Sequence, residues 1–137
     1  MLVRGDCDVN RRSKKRVLII DDEPCFTELL AMNLDGHRGI EVRCVNDPSE
    51  SRTIAIEWRP NLILLDLIMP ELSGDEIFHQ LRSHPALAQV PVILLSASTN
   101  ARHLIQGPNV QHLPKPMPAD VLIRAVDSHL FQDRPTR

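Results

Sequence analysis

Aromatic residues are scarce in this sequence, which has three phenylalanines, one tryptophan and no tyrosine among 137 residues. Its hydrophobic core must therefore be built from aliphatic side chains. No apolar run approaches the roughly 18 residues that a membrane-spanning helix needs. The first ten residues also lack the apolar stretch of a secretory signal. We therefore expect a cytoplasmic protein with room for one ordinary domain and without a membrane partner.

Cysteine is also sparse. Cys7, Cys25 and Cys44 form an odd, widely spaced set without a Cys-x-x-Cys pair. This spacing argues against a disulfide framework and against a zinc site. We expect free thiols in a reducing compartment.

The charge is unevenly distributed along the chain. Residues 1–16 carry six basic and two acidic side chains, a net charge of +4 in a protein whose total is −2. This pattern predicts a solvated basic leader over residues 1–15, a folded domain over 16–131 and a short tail over 132–137. The leader has no interleaved aromatics, and little sequence follows the predicted domain. We therefore expect no direct contact with nucleic acid.

Five segments have the composition of β-strands. The runs at 17–20, 62–65 and 90–95 are nearly continuous in apolar residues, as is typical of parallel strands covered on both faces. The run at 41–45 alternates, which predicts an edge strand, and a weaker candidate lies at 110–113.

Helical patterns separate these strands. Helix-start signals occur at Pro24, Asp47, Ser73 and Pro118, whereas residues 99–106 can form only a short helix. The alternation predicts an α/β fold with a doubly wound, five-stranded parallel sheet. Its fourth helix, over residues 99–106, should be short or distorted.

Polar residues follow the predicted strands at the edge where ligands bind in open α/β sheets. They are Asp21, Asp22, Asp66, Ser96 and Lys115. Carboxylates crowded together oppose folding unless a cation compensates their charge. Hard oxygen donors without cysteine or histidine favour Mg²⁺.

Each of these residues also has an ordinary structural explanation. Asp22 or Glu23 could cap the helix that starts at Pro24, Ser96 could be a loop residue, and Lys115 could be a surface charge. Their joint occurrence at strand ends favours a phosphoryl-transfer site, with a metal-bound carboxylate pair, a nucleophile and a nearby cation.

Four sequence segments extend this interpretation. The Asp21-Asp22 pair, LDLIMPELSG at 65–74, PVILLSA at 91–97 and LPKP at 113–116 occur in a fixed order. Together they resemble the response-regulator receiver domains of two-component signalling. The resemblance covers about residues 15–131 and implies a flavodoxin-like (βα)5 fold.

The resemblance also assigns roles. It implies that Asp66 accepts a phosphoryl group from a phosphohistidine of a sensor histidine kinase or a phosphotransfer protein. Asp22 and Asp66 would bind Mg²⁺ directly, Asp21 would bind it through water, and the backbone carbonyl of Ile68 would complete the protein ligands.

Two further residues would contact the transferred group. The resemblance implies that Ser96 and Lys115 each contact a phosphoryl oxygen, and that the Lys115–Pro116 peptide bond is cis. At the usual switch position, three residues before the lysine, His112 replaces the common Tyr or Phe. Its role as a switch and that of an ordinary surface histidine are both open.

The function implied is a phosphorylation-controlled signalling module that acts on a downstream protein partner or in a phosphorelay. We expect it to be a monomer or weak homodimer, and to catalyse only its own phosphorylation and dephosphorylation. One alternative is a phosphatase of the haloacid-dehalogenase type, but Ile68 stands where its second aspartate would be. Another is a degenerate receiver that acts as a constitutive interaction module.

Overall fold

The computed structural model describes residues 14–69, 73–97, 105 and 107–131. Five strands and four α-helices lie in these residues. The strands are β1 (Lys15–Ile20), β2 (Ile40–Val45), β3 (Leu62–Asp66), β4 (Val92–Ser96) and β5 (Val110–Pro114). The helices are α1 (Pro24–Leu34), α2 (Ser51–Trp58), α3 (Gly74–Arg82) and α4 (Ala119–Leu130).

The strands form one parallel sheet in the order β2-β1-β3-β4-β5. The predicted α/β class and five-stranded parallel sheet are confirmed, and β2 lies at an edge as its alternating pattern predicts. The order reverses direction between β1 and β3, which is the topological switch point at which such sheets bind ligands.

Aliphatic side chains fill both faces of the sheet, as the shortage of aromatics requires. One core cluster joins the sheet to α2 and α3 through residues such as Ala55, Ile77 and Leu81. The other joins it to α1 and α4, for example through Leu34 and Val126. The inner strands are buried on both sides, and this explains why their sequences are continuous apolar runs.

Helix starts follow the predicted signals with one difference. Ser73 and Glu76 form the reciprocal capping box at the start of α3. Asp47 accepts a hydrogen bond from the Ser49 N–H, but the turn it begins, Pro48–Glu50, is a 3₁₀ helix that precedes α2. In this turn the Glu50 N–H donates to the Asp47 carbonyl at 3.0 Å, the hydrogen bond across three residues that defines a 3₁₀ helix.

Some predicted segments lie outside the described residues. They are residues 1–13 of the leader, the tail at 132–137 and, apart from Ile105, the predicted helix at 99–106. The described part of the chain contains four α-helices, and none of them lies between β4 and β5. This is consistent with the prediction that the helix in that connection is short. Among the helices described, none is both long enough and apolar enough to cross a membrane.

Candidate active site

Three aspartates meet where β1 and β3 end. These strands are neighbours in parallel register, with Ile20 opposite Leu65. Asp21 and Asp22 directly follow β1, and Asp66 is the last residue of β3. Their carboxylates each offer an oxygen atom within 4.8 Å of the other two. The sheet thus brings together the three acidic residues that the sequence singles out.

Asp21 is almost fully buried and is held on several sides. Its Oδ1 accepts a hydrogen bond from the Glu23 N–H at 3.0 Å, and its Oδ2 lies 3.2 Å from the Lys115 ammonium. Its backbone carbonyl accepts a hydrogen bond from the Asn46 side chain at 2.8 Å. Glu23, the residue before α1, makes no side-chain cap, and thus the Glu23 capping alternative fails for this helix.

Lys115 reaches this cluster from the end of β5. Its backbone N–H donates to the Ser96 carbonyl at 3.1 Å, and this bond fixes the backbone position from which the side chain extends. Its Nζ lies 3.2 Å from Asp21 and 3.6 Å from Asp66. The Lys115–Pro116 peptide bond is cis, as the resemblance implies.

Burial is the main cause that raises the pKa of Asp66 from its ordinary 3.8 to about 6. The negative charge of Asp21 raises it further, whereas the Ile68 N–H, at 3.2 Å, and Lys115 act in the opposite direction. The ammonium of Lys115 therefore does not fully compensate the negative charges of the Asp21 and Asp66 carboxylates. A cation bound at this site would supply that charge.

Ser96 and His112 occupy neighbouring strands. Ser96 is the buried last residue of β4, in the strand that pairs with β3. His112 lies within β5 opposite Leu94, and its Nε2 donates a hydrogen bond to the Ile105 carbonyl at 2.7 Å. The His112 residue is half-buried, a position that fits either alternative. Its role as a switch remains a prediction.

An open cleft of about 640 Å³ gives access to the aspartates. The described residues that line it are Asp22, Glu23, Phe26, Asp66, Ile68, Met69, Ala97 and Lys115. The oxygen-only donor set of Asp21, Asp22 and Asp66 fits a hard divalent cation such as Mg²⁺, which accepts few protein ligands and retains several waters.

Two residues that contact this site are missing from the sequence prediction. Asn46 binds the Asp21 carbonyl and the hydroxyl of buried Thr27, and it directly follows β2. The rule that polar residues after strands mark the site would have found it. Phe26, whose ring lies 4.2 Å from the Lys115 Nζ, matches the apolar stripe of α1 and gives no separate signal.

Relatives with established names share this region. The chain is similar to the DNA-binding dual master transcriptional regulator RpaA of Synechocystis, at 35% identity over 67% of this chain and 38% of that protein. It is also similar to the DNA-binding response regulator MtrA of Mycolicibacterium smegmatis, at 33% identity over 69% of this chain and 40% of that protein. The match thus spans about 40% of these relatives' length.

Solved receiver domains share the fold. The chain resembles the signal receiver domain of a histidine kinase from Syntrophus aciditrophicus, with a TM-score of 0.75, 29% identity and coverage of 90% of this chain and 95% of that one. It also resembles the receiver domain of the sensor histidine kinase PA1611 from Pseudomonas aeruginosa, with a TM-score of 0.72, 26% identity and coverage of 85% and 98%. That structure holds a magnesium ion coordinated in its active-site cleft.

The relatives' names correct one expectation. The prediction of no nucleic-acid partner is wrong, because proteins that share this receiver region are named as DNA-binding regulators. The prediction depended on the lack of a DNA-binding motif, but the region matched covers only about 40% of those proteins. The sequence of a receiver segment therefore carries no information against such a partner.

The family itself follows from the match along the chain. The sequence profile of the response regulator receiver domain matches residues 17–127, which include all three aspartates, Ser96 and Lys115. With this match, the parallel sheet and the acidic cleft at its switch point, the chain belongs to the family of response regulator receiver domains.

Proposed function

We propose that this protein is a phosphoacceptor signalling module in which Asp66 takes a phosphoryl group from a phosphohistidine of a histidine kinase or a phosphotransfer protein. The observation that carries the proposal is the meeting of three carboxylates, within 4.8 Å, with an ammonium group 3.2–3.6 Å from two of them. A purely structural ion pair would not need three buried or half-buried acids beside an open cleft.

Magnesium is the cation we propose for this cluster. Asp22 and Asp66 would bind it directly, Asp21 through water, and the Ile68 backbone carbonyl would complete the protein ligands. Bound there, the ion would neutralise charge on the phosphoryl oxygens. The magnesium in the cleft of the related receiver domain supports this choice.

In the transfer itself, the side chains of the protein position the reacting atoms and neutralise the charge on the phosphoryl oxygens. An Asp66 carboxylate oxygen attacks the phosphorus atom in line, forming a P–O bond while the P–N bond to the donor imidazole breaks. The imidazole nitrogen keeps the electron pair and takes up a proton. Lys115 provides positive charge for a phosphoryl oxygen, and the Ser96 hydroxyl donates to another.

The consequence of transfer is a change of charge at the end of β3. The acyl phosphate carries roughly −1.5 to −2 charges, by analogy with other phosphorylated residues. Ser96 is drawn towards it, and the surface beyond β4 and β5 changes its partner preference. His112, bonded to the Ile105 carbonyl, is the residue we propose to couple this change to the surface. The module catalyses only its own phosphorylation and dephosphorylation.

Incubation of the full chain with acetyl phosphate and Mg²⁺, followed by intact-mass measurement, tests the proposal. We expect the mass to rise by one phosphoryl group, and we expect no rise in Asp66→Ala or in the presence of a chelator. Glu57→Gln, an exposed acidic position on α2, is the matched control and should gain the group normally. No gain in the wild-type chain would favour the degenerate receiver that acts as a constitutive module.

A further inference from the structure

Among the described residues, three groups lie around the ammonium of Lys115. Two are the carboxylates of Asp21 and Asp66, at 3.2 and 3.6 Å. The third is the ring of Phe26, whose centre lies 4.2 Å from Nζ, within the distance at which an aromatic face attracts a cation. The Lys115 side chain is only 22% exposed, so water weakens this attraction less than at an open surface.

The Phe26 ring is itself firmly placed. Phe26 lies in the first turn of α1, and its backbone N–H donates to the Glu23 carbonyl at 3.1 Å. One part of the side chain packs against the core cluster under α1 and α4, and another part lines the cleft beside Lys115. A ring anchored in the core and facing the cleft can hold a flexible lysine in one position.

The proposed chemistry affects the two carboxylate contacts of Lys115 but not its contact with the Phe26 ring. A divalent cation bound at the cluster would compete with the ammonium for the oxygens of Asp21 and Asp66, and phosphorylation would bond one Asp66 oxygen to phosphorus. Neither event involves the aromatic ring. The ring contact is therefore the one of the three that can persist before, during and after transfer.

We propose that Phe26 is a positioning residue for Lys115: its ring keeps the ammonium at the edge of the cleft while the carboxylates are engaged by the cation and the phosphoryl group. This role rests on the proposed function, because it matters only if Lys115 serves a phosphoryl oxygen. In this role Phe26 acts through Lys115 and takes no part in the bond changes at phosphorus.

A double-mutant cycle separates this role from simple core packing. The rate of phosphorylation by acetyl phosphate with Mg²⁺ is measured for the wild type, Phe26→Leu, Lys115→Met and the double variant. We expect Phe26→Leu to slow the wild type by roughly 2- to 30-fold, the range corresponding to a cation–π contact. In the Lys115→Met background, Phe26→Leu should have almost no further effect.

Conservative and control variants sharpen the result. Phe26→Tyr keeps the ring and should remain within about twofold of the wild type. Phe26→Met removes the ring, preserves an apolar chain and replaces Phe26→Leu if that variant does not fold. Leu29→Ala, at an exposed position on the same helix, is the matched control and should leave the rate unchanged.

A second measurement needs no phosphorylation. In the metal-free protein, the ring should shift the NMR signals of the Lys115 ε-methylene protons upfield, and Phe26→Leu should abolish this shift. Equal rates for Phe26→Leu and wild type would overturn the role of Phe26, as would the same loss in the Lys115→Met background. A wild-type chain that gains no phosphoryl group would instead overturn the proposed function, and the role of Phe26 with it.

Discussion

Asp66, the proposed phosphoryl acceptor, illustrates how a residue suited to chemistry can be costly to the fold. Its carboxylate is 5% exposed and lies near Asp21, and burial raises its pKa to about 6. At neutral pH the charged form is retained although the folded environment disfavours it. Carboxylates with such perturbed pKa values are typical of functional sites. A carboxylate whose charge is poorly compensated in the free protein can bind a cation and attack an electrophile.

The raised pKa predicts how stability depends on pH. Between pH 3.8 and about 6 the folded state binds more protons at Asp66 than the unfolded state does, so this group lowers the free energy of unfolding as the pH rises through that window. In chelator at pH 7, Asp66→Asn should therefore stabilise the protein by about 1–3 kcal/mol. The gain should nearly vanish near pH 4, as measured by urea unfolding. Glu57→Gln serves as control, and a destabilised Asp66→Asn at pH 7 would contradict the account.

At the scale of elements, the start of α3 is pressed against the residues that carry Asp66. The Gly74 N–H donates to the Leu67 carbonyl at 3.1 Å. A Cβ on Gly74 would collide with the Asp66 carbonyl oxygen and lie 2.6 Å from the Leu67 Cα. The glycine therefore allows the helix to pack directly under the connection that shapes the end of β3.

This contact predicts whether a substitution at Gly74 stabilises or destabilises the fold. In an unobstructed helix, alanine is more favourable than glycine by about 1 kcal/mol. Here Gly74→Ala should instead destabilise the fold by about 1–3 kcal/mol, because α3 or the β3 end must shift to admit the methyl group. Urea unfolding measures the change, with Gln80→Ala at an exposed position of the same helix as control. A stabilised Gly74→Ala variant would show that this packing is absent.

For the whole molecule, the sequence correctly predicted the features that depend on the local pattern of apolar and polar residues. Continuous apolar runs predicted the inner strands, and the alternating run at 41–45 predicted the edge strand β2. The meeting of Asp21, Asp22 and Asp66 followed from parallel topology, since the ends of neighbouring strands share one edge of the sheet.

Other features depended on three-dimensional contacts that local patterns do not encode. Phe26 has the same helical spacing as any core residue of α1, and only the fold brings its ring to Lys115. The close approach of Gly74 to the Asp66 backbone is equally invisible in the sequence, where glycine reads as part of the capping box. The partner prediction failed for another reason, because the absence of a motif from a receiver segment says nothing about nucleic acid.

The central claim is that the acidic cluster, with Mg²⁺, readies Asp66 alone as the phosphoryl acceptor. Borohydride reduction of the acetyl-phosphate-treated chain, followed by peptide mass spectrometry, tests it most directly, because borohydride converts an aspartyl phosphate to homoserine. We predict homoserine at position 66 only, and only when Mg²⁺ is present. Modification at another aspartate, or equal modification in the presence of a chelator, would contradict the claim.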